Sequence, residues 1–134
     1  MKILLDSDGL FGLYVPSDPH HEKAKHLALF LRAQMVELYV TNVVIWETAT
    51  VLSYKIGQEL AIQFVRSFPS LGAHMVVLDE SLESRGWEVF LRQTKKGTSF
   101  VDCANVAVIE ELKLDGILSF DEFYPKELNE WMRR

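Results

Sequence analysis

Cysteine is nearly absent from this sequence: Cys103 is the only one in 134 residues. A lone thiol cannot close an internal disulfide, so nothing in the chain requires an oxidising compartment, and the cytoplasm is the expected location. Long apolar runs are missing as well. The longest, such as Val43-Val44-Ile45-Trp46, extend four or five residues, against the roughly 18 that a membrane span needs. Asp6 and Asp8 break up the only apolar start, Ile3-Leu4-Leu5, which argues against a secretory leader. There is no internal repeat, linker or low-complexity segment. Positive charge is also scarce, with 14 Lys and Arg against 19 Asp and Glu. A broad basic surface for holding nucleic acid is therefore excluded. That exclusion has one exception, because acids gathered at a single site can be neutralised by bound metal. Setting aside the four acids discussed below leaves 14 positive against 15 negative charges, so an enzyme that meets phosphates through a metal stays open.

What is present is an ordinary globular balance, with 49% hydrophobic and 25% charged residues, at a length typical of one domain. Residues 1–134 are read as a single unit. Lys2–Leu5, Glu37–Val40, Met75–Leu78 and Gly116–Phe120 read as short strands. Helices are predicted from the Asp18-Pro19 start to about Gln34, from a Thr41-Asn42 cap to Gly57, and over Glu59–Phe68. Three more follow, over about Ser81–Lys96, from Ser99 through Leu112, and over Pro125–Met132. Strands alternating with helices predict an α/β fold with a mostly parallel sheet covered on both faces.

Four acids stand at informative places in that order. Asp6 follows the first strand and Asp121 the fourth, where ligand sites of open parallel sheets lie; either alone also reads as a turn or cap residue. Glu47 has Val43, Val44, Thr50 and Val51 at helical neighbour positions. A carboxylate on such a face needs a cation, a hydrogen-bond donor or a salt-bridge partner. In Ser99-Phe100-Val101-Asp102 the acid fits a capping box. Yet Ser99, Asp102 and Asn105 also form one polar stripe on an apolar helix, as metal coordination with supporting hydrogen bonds would use.

Together these segments resemble the PIN-domain ribonucleases, and among them the VapC-type toxins of toxin–antitoxin pairs. Leu4-Leu5-Asp6-Ser7-Asp8-Gly9-Leu10-Phe11 is similar to the family's opening strand and acid. Thr41-Asn42-Val43-Val44-Ile45-Trp46-Glu47 is similar to its second motif, and Ser99 to Ala107, carrying Asp102, to its third. Ile117-Leu118-Ser119-Phe120-Asp121-Glu122-Phe123 resembles the fourth. The resemblance spans Leu4 to Phe123 in family order. It implies a three-layer PIN-like fold with a central sheet of four or five short strands. It also implies a metal-dependent endoribonuclease in which Asp6, Glu47, Asp102 and Asp121 are catalytic and hold one or two Mg2+ or Mn2+ ions. Hard, oxygen-preferring cations suit such a donor set, and no side chain is assigned as general base. Ser99, Asn105 and Ser119 would support the ligands. Asp8, where the family more often has asparagine or serine, is either a further ligand or a turn residue. The implied partners are an RNA substrate, a cognate antitoxin protein and a second copy in a homodimer.

Asp6-Ser7-Asp8-Gly9 also resembles the nucleophile motif of haloacid-dehalogenase-type phosphatases, in which Asp6 would be phosphorylated and Asp8 would act as acid and base. Leu10 replaces the usual threonine, and the chain is short for that fold. A PIN-like module that binds metal or RNA without cutting is the non-enzymatic alternative. His20, His21 and His26 read as residues of a solvated helix start. Cys103, Trp46, Trp87 and Phe90 read as core.

Overall fold

The computed structural model describes residues 1–133. Four short parallel strands form its centre: β1 (Lys2–Leu5), β2 (Glu37–Thr41), β3 (His74–Val76) and β4 (Gly116–Leu118). Their order across the sheet is β3-β2-β1-β4, with Leu5 opposite Leu118 and Leu4 opposite both Tyr39 and Ile117. Side chains alternate between the two faces of a strand. Ile3 and Leu5 enter one core with Leu10, Leu31, Val44 and Phe64, while Leu4 enters a second with Val108, Ile117 and Tyr124. Burial on both faces explains why Ile3–Leu5 of β1 and Ile117-Leu118 of β4 are uninterrupted apolar runs.

Six helices cover the sheet: α1 (Ser7–Tyr14), α2 (His21–Ala33), α3 (Asn42–Lys55), α4 (Gln58–Ser67), α5 (Glu80–Leu91) and α6 (Phe100–Leu112). The first four lie against the core containing Ile3 and Leu5, and α5 and α6 against the one containing Leu4. The predicted caps of α3 and α6 form: Thr41 Oγ1 accepts from Val44 N at 3.1 Å, and Ser99 Oγ from Asp102 N at 3.0 Å.

Several boundaries differ from the sequence reading. Helix α1 was not foreseen, because two glycines in eight residues weaken its intrinsic propensity. Gly9 is required there by close packing: a Cβ would stand 2.8 Å from the Leu118 carbonyl oxygen. Helix α2 begins at His21 instead of at Pro19. Asp18 makes a turn first, its Oδ2 accepting from His20 N and its carbonyl from His21 N, both at 3.0 Å. Helix α5 stops at Leu91 and not near Lys96. Its last buried residue is Val89, and the polar segment beyond has no core to pack against, so little stabilises further turns. The terminal segment Lys126–Arg133 is a 310 helix, seated by Trp131, whose Nε1 donates to the Ile117 carbonyl at 3.1 Å. Trp131 thereby covers the outer strand β4, an edge otherwise open to pairing. Trp46 and Trp87 are not core residues: they are 63% and 44% exposed.

Candidate active site

The carboxyl ends of β1 and β4 lie side by side, Asp6 N donating to the Leu118 carbonyl at 3.2 Å. From β1 the chain crosses to β2 on one side, while β4 lies on the other. This is the topological switch point at which open parallel sheets place ligands. Asp6 caps α1 there and is 2% exposed. Its Oδ1 accepts from Ser7 N at 2.8 Å and Asn105 Nδ2 at 3.1 Å, and its Oδ2 from Ser119 Oγ at 2.8 Å. Burial, then the charge of Asp8 and more weakly that of Asp102, push its pKa up to about 7, despite the bonds from Ser119 and Ser7. A carboxyl group raised this far by burial and like charge is characteristic of functional sites.

Asp8, in the first turn of α1, reaches across to the loop after β4. Its Oδ2 accepts from Phe120 N at 3.0 Å and lies 3.4 Å from Ser119 Oγ. The serine has one hydrogen, and the shorter contact directs it to Asp6. Asp8 Oδ1 is buried without a partner. Burial pushes the Asp8 pKa up to about 6, and the Asp121 charge adds to the rise.

Glu47, half-buried on α3, is also raised, by burial first and then by the charges of Asp102 and Asp8, while a hydrogen bond from Ser7 opposes the shift. The salt-bridge reading of Glu47 finds no support. Among the described residues the ion pair within 4.0 Å is Arg85–Glu111, which includes none of these acids. Asp102, in the first turn of α6, accepts from the Tyr124 hydroxyl through Oδ1 at 3.0 Å. Burial and the Asp121 charge raise its pKa. Asp121 is exposed; its Oδ1 accepts from Phe123 N at 2.9 Å, and its own N–H donates to Ser119 Oγ at 3.1 Å.

The structure thus brings Asp6, Asp8, Glu47, Asp102 and Asp121 into one electrostatically coupled group, with Asn105 and Ser119 bonded into it and Ser99 capping the helix that carries Asp102. It does not recruit the histidines: His21 Nδ1 bonds to the Gly12 carbonyl at 2.8 Å, and His20 stacks on Phe120 with ring centroids 4.2 Å apart. Cys103 is buried. Sequence reasoning missed Tyr124, which is buried beside Asn105 and Asp102. The available signal was weak: a buried tyrosine needs a partner for its hydroxyl, and this one lies three positions after Asp121.

The donor chemistry fits a hard divalent cation. It is all oxygen, no Lys or Arg among the described residues pairs with these acids, and one buried carboxylate oxygen lacks a donor. As the side chains stand, no three acid, imidazole or thiol groups among the described residues are close enough to hold an ion.

Architecture and site together define a three-layer parallel α/β domain with a group of acids at its switch point. The family model of the PIN domain matches residues 3–126, and the chain belongs to the PIN domain family. It is 33% identical over 124 residues to a VapC ribonuclease of Archaeoglobus fulgidus, covering 90% of this chain and 78% of that protein. The crystal structure of Mycobacterium tuberculosis VapC20, described as a sarcin-ricin loop cleaving toxin, superposes with a TM-score of 0.80. It covers 90% of this chain and 91% of that one at 24% identity, which shows the shared fold. Family membership leaves the phosphatase resemblance of Asp6-Ser7-Asp8-Gly9 without a fold to support it.

Proposed function

We propose that this chain is a VapC-type endoribonuclease, the toxin of a toxin–antitoxin pair, and that it hydrolyses RNA phosphodiester bonds with Mg2+ or Mn2+. The observation that carries the metal requirement is the gathering of five carboxylates without a basic partner among the described residues. A phosphate approaching that cluster would meet like charge, a repulsion of about 4 kcal/mol for a single pair at 4 Å near a protein surface. One or two divalent ions would supply the missing positive charge, polarise the phosphate and lower the pKa of an attacking water.

The side chains divide the remaining work. Asp6, Glu47, Asp102 and Asp121 would hold the ions. Ser119 and Asn105 fix the two oxygens of Asp6. Asp8 ties the loop bearing Asp121 to α1 through Phe120 N, and its buried Oδ1 is available as a further oxygen ligand. Asp121 is the exposed member of the group. No side chain is assigned as general base. Among the described residues no helix is long and apolar enough to cross a membrane, and we place the reaction in the cytoplasm. A homodimer and a cognate antitoxin complete the proposal by family resemblance.

Incubating the purified chain with RNA in Mn2+, Mg2+ or excess chelator tests this reading. Cleavage with either ion and none with chelator is expected. RNA that is bound but uncut in both ions would favour the binding-module alternative.

A further inference from the structure

Tyr124 belongs to none of the four acidic motifs, yet it is 3% exposed and joins two of them. Its ring packs in the core formed by Leu4, Val108 and Ile117 and meets Phe123 edge-on, with centroids 5.2 Å apart. Asn105, wholly buried, donates one N–H to Asp6 Oδ1 at 3.1 Å and the other to the Tyr124 oxygen at 3.0 Å. The tyrosine has a single hydroxyl hydrogen, and it points to Asp102 Oδ1 at 3.0 Å. Every direction is fixed by chemistry. The amide nitrogen only donates, so the tyrosine oxygen accepts from Asn105 and its single hydrogen is left for Asp102 Oδ1. An unbroken set of three hydrogen bonds thus links the acid after β1 to the acid on α6, 96 positions apart in sequence.

We propose that Tyr124 is a positioning residue that holds Asp102 in the orientation required to ligate metal and couples it through Asn105 to Asp6. The inference rests on the metal-dependent reading above. Two carboxylates without a basic partner repel each other, and donors placed between them fix their separation and rotation. The tyrosine is suited to this because its ring is immobilised by the core on one side while its hydroxyl reaches the polar site. Hydrogen bonds of this kind behind ligating groups commonly set metal affinity.

The test is Mn2+ affinity, measured by calorimetry on metal-free protein. Tyr124→Phe retains the ring and removes the hydroxyl; Mn2+ should bind about 10- to 100-fold more weakly, with an unchanged circular dichroism spectrum. In an Asp102→Asn background the same substitution should alter affinity by no more than about twofold, since the group it acts through has been neutralised. A merely structural tyrosine would weaken binding equally in both backgrounds or in neither, and either result overturns the inference. Should the phenylalanine variant fail to fold, the wild-type protein decides. Its protected Tyr124 hydroxyl proton should move in the NMR spectrum when Mg2+ is added, and a resonance that stays in place overturns the inference. Wild type that binds no Mn2+ would overturn the metal reading and the positioning role together. Tight wild-type binding with an unaffected Tyr124→Phe overturns the positioning role alone.

Discussion

Metal-free protein should lose stability as pH rises from 5 to 8, against the usual behaviour of a folded protein that carries ionised surface acids. The cause is Asp6, whose carboxyl ordinarily loses its proton near 3.8 and here retains it to about 7, through burial and the charges of Asp8 and Asp102. The folded state thus binds a proton that the unfolded chain has already released. Its stabilising effect is complete below the unfolded pKa, declines as pH rises, and is gone above about 7. At about 1.4 kcal/mol per pH unit, the full effect is about 4 kcal/mol, of which about 3 kcal/mol falls between pH 5 and 8. For a chain of this size that corresponds to roughly 10 °C in Tm. Thermal melts followed by circular dichroism in chelator, at constant ionic strength, should show wild type falling relative to Asp6→Asn across this range. The variant keeps the shape and cannot ionise. Wild-type and variant melting curves that run parallel from pH 5 to 8 would refute the assignment of Asp6 as an uncompensated buried acid. Saturating Mn2+ should reverse the trend, because ligation requires the deprotonated form.

Other outcomes follow from the same geometry. Glu47→Gln should cut RNA at least about 10²-fold more slowly, while its metal-free Tm holds or rises because an unpaired carboxylate is removed from a half-buried helix face; a folded, fully active variant would remove Glu47 from the site. Gly9→Ala should destabilise the chain by about 1–3 kcal/mol in chemical denaturation, since the added methyl would crowd the Leu118 carbonyl and push α1 off β4. Light scattering at micromolar concentrations should report a dimer, and a monomer throughout would remove the homodimer without touching the catalytic proposal.

Much of this arrangement was legible in the sequence because strands buried on both faces leave continuous apolar runs, and polar residues directly after them stand out. Asp6 was found in that way, whereas Ser119 came only from the family resemblance of Ile117–Phe123. Thr41 and Ser99 were legible as caps because their hydroxyls meet local backbone N–H groups. Interactions between distant segments left no such trace. The bond from Phe120 N to Asp8 spans 112 positions, so Asp8 read equally well as a turn residue or a ligand. Tyr124 sits among aromatic and turn residues, and only the packing of the loop after β4 against α6 gives its hydroxyl two partners. Helix α1 was hidden by its glycines, whose lack of a Cβ serves contact with β4 at the expense of helix propensity. The end of α5 was overrun because helical periodicity alone does not reveal where the core stops.

The most direct measurement is RNA cleavage by wild type and by Asp102→Asn during a Mn2+ titration, each preparation first shown to be folded. Wild-type cleavage should rise from nothing in chelator to a plateau as Mn2+ fills the site, and Asp102→Asn should remain at least about 10²-fold slower at the same Mn2+ concentration. Cleavage by wild type that persists undiminished in chelator, or an Asp102→Asn protein that cuts at the wild-type rate, would contradict the account.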